Sequence, residues 1–204
     1  MLKQQQPTDI VVVGGGTAGV IAALAAARNG ARVTLLEKGG FPGGVAAFGI
    51  PFLAFRDGRG RRVVGGLAQE LVARLVALDA SPGHVGGTTW AGDGRDQQFH
   101  LTPYDPEGYK ALILQMLAEA GVDLQLHTWF TGVDRDPDGR LTAIHYVNKD
   151  GSGQLAPAVV IDASGDADVA RQAGCSFRLG GEGQAMQNVS GIFVLAGVDA
   201  EAAV

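Results

Sequence analysis

The chain has 204 residues, of which 46% are hydrophobic and 18% are charged, a balance typical of a globular protein and not of a disordered one. This length predicts one domain, or one domain and part of a second. The formal net charge of −5 argues against the basic face of a nucleic-acid-binding protein, and a single cysteine excludes an intrachain disulfide framework. With no convincing targeting segment, the sequence favours a cytoplasmic location.

The N-terminal part of the chain has the pattern of a βαβ unit. Residues 9–14 carry the β-branched run of a buried parallel strand, residues 17–29 are rich in alanine and predict a helix, and residues 31–37 predict a second strand. Residues 10–27 carry no charge and are long enough to suggest a membrane span. The glycines in this segment, however, keep the hydrophobicity of the segment modest. We interpret this stretch as strand, turn and helix, and expect no membrane association.

The rest of the chain alternates between helices, glycine-rich loops and short strands. The predicted elements are a loop over 38–62, a helix over 66–79, a loop over 81–96, a helix over 106–120, a strand over 122–130, an antiparallel meander over 126–156 with turns at 136–139 and 148–153, a strand over 158–165, a helix over 166–174 and a strand over 190–198. Together they predict an α/β fold, in which a Rossmann-type parallel sheet carries helices and an antiparallel β-meander. A helical pattern begins near the last residue, so we expect the chain to be an N-terminal fragment of a longer protein.

The spacing Gly14-x-Gly16-x-x-Gly19, between the first predicted strand and helix, fits the dinucleotide-binding fingerprint. Gly14 permits a tight turn, Gly16 leaves room for a pyrophosphate, and Gly19 lets the helix pack closely on the sheet. The amides at the helix start then face the phosphates. Glu37, at the end of the second strand, is expected to accept hydrogen bonds from ribose hydroxyls, and it disfavours NADP. The fingerprint alone leaves both FAD and NAD open.

The order of motifs beyond the fingerprint resembles the glutathione-reductase-type flavoproteins, and most of all the FAD-dependent oxidoreductase family. Members of that family carry DxVVxGGGxAGxxAAxxAAR near the start, and this chain reads DIVVVGGGTAGVIAALAAAR. The other segments that carry the resemblance are FPGG, GGLAQELVARL, YDPEGYKALILQMLAEAGVDLQLHT and VVIDASGDADVARQAG. The last contains DASGD where relatives more often have DATGD. The resemblance implies that FAD oxidises or reduces an unidentified small molecule by hydride transfer.

The resemblance also implies a set of cofactor contacts and a division into domains. The expected contacts are Gly14, Gly15, Gly16, Thr17, Ala18 and Gly19 at the pyrophosphate, Glu37 and Lys38 at the ribose, Gly43 and Gly44 near the pyrophosphate and ribityl chain, Phe130 at the adenine, and Ala163, Ser164 and Gly165 beneath the cofactor. Residues 1–175 are expected to form the FAD-binding domain with an insertion over 38–105, and residues 176–204 to begin a substrate domain. No catalytic residue is predicted, and the scattered histidines predict no metal site.

Several alternatives remain open at this point. An NAD-dependent oxidoreductase would share the fingerprint, and a non-catalytic FAD-binding fragment would hold the cofactor without turnover. The basic run from Arg56 to Arg62 is either a solvated loop or an anion contact for a substrate carboxylate or a cofactor phosphate. His84 could face a substrate, Trp129 is interpreted as a packing residue, and Asp168 as a charge at a helix start.

Overall fold

The computed structural model describes residues 7–90 and 96–178, together with the single residues Gly180, Gly191 and Gly197. The predicted strand over 190–198 therefore lies outside the described residues. The elements in chain order are β1 (Ile10–Val13), α1 (Thr17–Arg28), β2 (Val33–Leu36), a 3₁₀ helix (Gly44–Phe48), β3 (Phe52–Leu53), α2 (Gly66–Ala77), β4 (Val85–Trp90), β5 (Asp96–Thr102), α3 (Pro106–Glu119), β6 (Asp123–Gln125), β7 (Trp129–Arg135), β8 (Leu141–Asn148), β9 (Gly151–Leu155), β10 (Val159–Asp162) and α4 (Asp168–Gln172).

The central sheet is parallel and has the strand order β10-β1-β2-β6. Side chains alternate across it, so β1 and β2 supply a hydrophobic core on each face. Val12 and Leu35 point into the core formed with α1, α2 and α3, whereas Val11, Val13 and Leu36 point into a second core beneath β8 and β9. Burial on both faces explains why these strands read as continuous apolar runs. The predicted α/β fold class is confirmed.

The antiparallel meander forms the third layer and has the predicted connectivity β7-β8-β9. Ile144 and Tyr146 of β8 and Leu155 of β9 are buried against the central sheet. The turn predicted at 136–139 joins β7 to β8, and the amide of Gly139 donates to the carbonyl of Asp136 at 2.9 Å. No helix in the described part of the chain is both long enough and apolar enough to cross a membrane.

The predicted loops over 38–62 and 81–96 are wrong in part, because they contain a 3₁₀ helix and the strands β3 and β4, which pair with β5 in an additional antiparallel sheet. The sheet has the order β3-β5-β4. Its glycines make room for bulky partners across the strands: a Cβ at Gly86 would lie 2.7 Å from a ring nitrogen of His100, and one at Gly87 would lie 2.9 Å from the Phe99 ring. A strand built on such pairs has none of the apolar alternation by which strands are recognised.

The predicted strand over 122–130 is also wrong in part, because it divides between two sheets. β6 pairs in parallel with β2, and β7 pairs antiparallel with β8. The break between them includes His127, whose φ of +50° is a left-handed conformation. Such a conformation is uncommon for a residue with a side chain, and the apolar pattern around it gave no indication of a turn.

The start of α3 offers a test of helix capping. The carboxylate of Asp105 accepts hydrogen bonds from the amides of Glu107 and Gly108, and Pro106 occupies the first turn. Asp105→Ala is expected to lower the free energy of unfolding by about 1 kcal/mol, because two helix-start amides lose their acceptor. Urea unfolding would measure it. Glu107→Ala is the control, since Glu107 makes only an exposed ion pair with Lys110; an equal effect of both changes would contradict the cap.

Candidate functional site

The ends of three parallel strands meet at the glycine turn after β1. The amide of Gly14 donates to the carbonyl of Leu36 at 2.8 Å, and the amide of Ala163 donates to that of Val13 at 2.8 Å. Gly14 has a φ of +99°, which disfavours any residue with a Cβ, and a Cβ there would overlap the carbonyl of Ala163. A Cβ at Gly19, in the first turn of α1, would overlap the carbonyl of Gly14. Both positions therefore require glycine.

Gly16 differs from these two positions, because a Cβ added there would meet nothing within 4 Å. Gly16 is the N-cap of α1, so this cap carries no side chain that could accept a hydrogen bond, and no acidic residue occupies the first turn. The first amides of a helix have no acceptor within the helix and carry its positive dipole end. Open space in front of such amides is suited to an anion.

Glu37 follows β2 and lies against the same turn. Its Oε2 accepts a hydrogen bond from the amide of Gly15 at 2.7 Å, and its Oε1 accepts one from the amide of Gly39 at 2.5 Å. These two bonds fix the orientation of the carboxylate. An ionised carboxylate can accept about four hydrogen bonds, so each oxygen retains capacity for a further donor.

Backbone pairing after Glu37 brings a distant segment to the site. The amide of Thr128 donates to the carbonyl of Glu37 at 2.9 Å, and the amide of His127 donates to that of Gly39 at 3.0 Å. The start of β7 is therefore held beside the end of β2. Trp129 is 55% exposed here, and the ammonium of Lys38 lies 5.5 Å from the centre of its ring. The interpretation of Trp129 as a packing residue is wrong.

The turn between β10 and α4 is organised by Asp162. Its Oδ1 accepts hydrogen bonds from the amide and hydroxyl of Ser164 at 3.0 and 2.7 Å, and its Oδ2 accepts one from the amide of Ala170 at 2.8 Å. Burial raises the pKa of the Asp162 carboxyl, but these hydrogen bonds outweigh it and hold the pKa below its usual value. The ionised side chain thus holds the segment from Ala163 to Gly165.

These segments enclose a cavity of about 420 Å³ at the carboxyl ends of β1, β2 and β10. Its lining includes eleven of the predicted contact residues, namely Gly14, Gly16, Thr17, Ala18, Glu37, Lys38, Gly44, Phe130, Ala163, Ser164 and Gly165. The lining residues that the sequence did not predict are Val13, Leu36, Val45, Thr128, Trp129 and Asp168. Position just beyond the carboxyl end of a parallel strand, β6, could have indicated Thr128, but nothing in the local sequence indicates Trp129 or Val45.

Three predicted contact residues, Gly15, Gly19 and Gly43, do not line the cavity but support its wall. The amide of Gly43 donates to the carbonyl of Gly15 at 2.6 Å, and a Cβ on Gly43 would lie 2.6 Å from the Tyr109 ring. The hydroxyl of Tyr104 lies 2.7 Å from the carbonyl oxygen of Ala46 and 2.8 Å from that of Ile50, and its one proton is shared between these two acceptors. This contact fixes the 3₁₀ helix, and burial raises the pKa of the Tyr104 hydroxyl to about 12.

His84 and His145 do not line the cavity. Both ring nitrogens of His84 are hydrogen-bonded within the protein, Nδ1 to the hydroxyl of Thr102 at 2.7 Å and Nε2 to the amide oxygen of Gln69 at 2.9 Å. His145 pairs with Asp134 at 2.9 Å on the meander. The described residues contain no group of three or more His, Cys, Asp or Glu side chains that could hold a metal ion.

Comparison with known proteins decides between the FAD-dependent and NAD-dependent oxidoreductases that the fingerprint left open. A family model described as FAD dependent oxidoreductase matches residues 9–204. The chain belongs to this family. The membership confirms the resemblance inferred from the motifs, and it confirms FAD over NAD as the cofactor.

The matches to individual relatives cover only part of each relative, and the solved structures among them support the fold. The vinyl phenol reductase of Lactiplantibacillus plantarum is 58% identical over 43 residues, which are 21% of this chain and 9% of the reductase. The myxobacterial chondrochloren halogenase, a FAD-dependent halogenase, has a TM-score of 0.62 at 21% identity over 82% of this chain and 40% of its own. A geranylgeranyl bacteriochlorophyll reductase-like protein from Thermoplasma acidophilum has a TM-score of 0.60 at 19% identity over 83% of this chain and 42% of its own. The chain spans less than half the length of each.

The close contact at Gly19 predicts a cost in stability. Gly19→Ala is expected to lower the free energy of unfolding of the FAD-free protein by about 1–3 kcal/mol, because the Gly14 carbonyl and α1 must move apart. The matched control is Gly16→Ala, whose methyl group enters open space and should cost less than about 1 kcal/mol. Urea unfolding compares the two variants, and equal losses would contradict the steric assignment.

The depressed pKa of Asp162 predicts a pH dependence. Asp162→Asn should lower the free energy of unfolding by about 1–3 kcal/mol at neutral pH, since it removes charge-assisted hydrogen bonds. A carboxyl whose folded-state pKa is depressed stabilises the fold above its unfolded pKa, and this contribution is lost as the pH falls through the folded-state pKa. The difference from the wild type should therefore shrink between neutral pH and about pH 3 in urea unfolding.

The control for this experiment is Asp166→Asn, which removes an exposed carboxylate from the same turn. It should change the free energy of unfolding by less than about 0.5 kcal/mol at either pH. A loss at Asp162 that stays constant with pH would show that packing, and not ionisation, is responsible.

Proposed function

We propose that the protein binds the ADP half of FAD in the cavity beside the glycine turn and uses the cofactor to oxidise or reduce a small molecule. The observation that carries this proposal is the convergence of open α1 amides and a fixed acceptor, Glu37, on one cavity at adjacent strand ends. Ligands of open α/β sheets bind outside the carboxyl ends of the strands, which is where this cavity lies.

The pyrophosphate would be held by backbone and not by basic side chains. The open space at Gly16 lies before the amides of Thr17 and Ala18, and a Cβ would fill it. Among the described residues of the lining, Lys38 is the one cation, and it lies beside the Trp129 ring. The helix amides therefore have to supply most of the stabilisation of the phosphate charge.

The ribose would be held by Glu37. Its carboxylate oxygens each accept one backbone amide and can each accept a further hydroxyl donor. A carboxylate held in place by two amides binds a diol at a lower entropic cost than a free side chain. Thr128 to Phe130 form the adjacent wall, where an exposed indole and the Phe130 backbone offer a surface for the adenine.

The residues of this chain bind and orient the cofactor. FAD, when bound, supplies the redox chemistry by accepting or returning a hydride equivalent. The roles of the chain are to fix the two ends of the ADP group and to hold the β10–α4 turn rigid through Asp162. Substrate selection is expected to depend on side chains outside the glycine turn.

The proposal extends to domain organisation and cellular location. Residues 1–175 would form the FAD-binding domain, with the insertion over 38–105 contributing the 3₁₀ helix and the β3-β5-β4 sheet, and residues 176–204 would begin the substrate domain. A cytoplasmic location is supported by the single cysteine, Cys175, which is a free thiol. The negative net charge supports a small-molecule substrate over nucleic acid.

The cofactor proposal is tested by purifying the protein, denaturing it and measuring released FAD by chromatography and absorbance. The wild type should release FAD. Gly16→Val should abolish FAD retention, because its side chain fills the space in front of the α1 amides.

Two outcomes would contradict this placement. Retention of FAD by Gly16→Val would place the pyrophosphate elsewhere. If the wild type, incubated with added FAD and then washed, released no FAD on denaturation, the cofactor proposal itself would be overturned. Leu114→Val is the control, because Leu114 is an exposed residue of α3 that does not line the cavity. That variant should release as much FAD as the wild type.

A further inference from the structure

The arginine-rich run between β3 and α2 forms an ordered hairpin, here called the basic hairpin and defined as Phe55–Val63. The amide of Val63 donates to the carbonyl of Phe55, and the amide of Asp57 donates to that of Arg61, both at 2.9 Å. Arg56 and Arg62 pair across the two strands as an antiparallel bridge. The run is therefore an ordered hairpin, whereas the sequence was interpreted either as a solvated loop or as an anion contact.

Asp57, the one acid of the basic hairpin, is used within the hairpin itself. Its Oδ1 accepts hydrogen bonds from the amides of Arg59 and Arg61 at 2.9 Å, and its Oδ2 accepts one from the Arg61 guanidinium at 2.8 Å. The bond with Arg61 holds the pKa of the Asp57 carboxyl below its usual value. Asp57 thus shapes the turn and neutralises one arginine, and three arginines remain.

The pairing geometry places two of these arginines side by side. The flanking bonds between Val63 and Phe55 and between Asp57 and Arg61 make Arg56 and Arg62 a non-hydrogen-bonded pair, in which opposite side chains are closest. Their Cβ atoms are then about 5 Å apart. Like charges directly opposite each other are destabilising. In the described part of the chain no carboxylate pairs with either guanidinium, although Arg56 donates to the carbonyl of Gly60 at 2.7 Å.

The base of the hairpin is anchored to the protein core. Phe55 is buried, and its ring centre lies 4.8 Å from that of His84 and 6.2 Å from that of Phe52. His84 is itself fixed between Gln69 of α2 and Thr102 of β5. Burial lowers the pKa of His84, and the charges of Arg56 and Arg62 lower it further, which favours the neutral imidazole. The backbone positions of the two arginines are therefore set by the protein itself.

We propose that Arg56 and Arg62 of the basic hairpin form a binding site for a small oxyanion group, a carboxylate or a phosphate. The planar guanidinium binds either group through two parallel hydrogen bonds, and an anion between the two would offset their repulsion. The site is separate from the FAD cavity, because no residue of the hairpin lines that cavity. The carboxylate would belong to the substrate, and the phosphate to a substrate or a nucleotide electron donor.

The test follows the arginine Nε–Hε signals of the purified protein by NMR during titration with inorganic phosphate or succinate at constant ionic strength. The signals of Arg56 and Arg62 should shift to saturation with at least one probe. Arg62→Gln should weaken that binding about tenfold, as expected for the loss of a charge-assisted hydrogen-bonded pair. Arg62 is the informative position because it is exposed and donates no hydrogen bond to the described protein, so the fold should tolerate its loss.

The matched control is Arg59→Gln, which removes the same charge from the exposed tip of the same hairpin. It should change the affinity by less than about twofold, because screening weakens charges outside the pair. Saturation by phosphate alone or by succinate alone would support the site and identify the source of the oxyanion. Absence of saturation with both probes, or equal weakening by both variants, would overturn it. The amount of bound FAD, measured by absorbance, reports on the cavity beside the glycine turn. It therefore distinguishes failure of the oxyanion-site proposal from failure of the cofactor proposal.

Discussion

The structure depends on a steric constraint near the end of β1, where a side chain at either of two glycines would overlap a backbone carbonyl. Gly14 lies against the carbonyl of Ala163, and Gly19 lies against the carbonyl of Gly14. These contacts let β1, β2, β10 and the start of α1 converge on one point. Because the strands are parallel, their carboxyl ends meet on one edge, and every wall of the cavity begins within a few residues of that edge. A larger residue at either glycine would separate the helix amides from Glu37.

The parts of the fold that the sequence predicts are those whose signals are local. β1 and β2 are buried on both faces and read as apolar runs. α1 begins after Gly16 and ends before Gly30, and α3 begins at Pro106 and ends before Gly121. The glycine turn and Glu37 could be predicted for the same reason, since spacing along one βαβ unit determines their positions in space. Residues 163–165 were expected at the site only because the family resemblance implies them.

The parts that could not be predicted depend on partners far away in sequence. β4 is a strand because Gly86 and Gly87 face His100 and Phe99, and neither glycine carries a strand signal alone. Trp129 faces the cavity because Glu37 and Gly39 accept hydrogen bonds from the amides of Thr128 and His127, a contact that crosses about ninety residues of chain. From the sequence, only the positive charge of the run from Arg56 to Arg62 can be predicted. Which arginines lie next to each other depends on the register of the hairpin, which the sequence does not indicate.

The distribution of charge indicates that the two proposed anion sites would use different chemistry. The cavity lining contains two carboxylates, Glu37 and Asp168, and among its described residues only Lys38 is cationic. A site with this balance would repel an anion held by charge alone, so the proposed pyrophosphate would have to be recognised by directional amides that are themselves neutral. The same carboxylate that would oppose an anion would favour a neighbouring diol, and together the two requirements would select a nucleoside diphosphate over a free phosphate. On the basic hairpin the charge is carried by the half-buried Arg56 and the exposed Arg62, and a small oxyanion bound between them would need no attached sugar to be recognised.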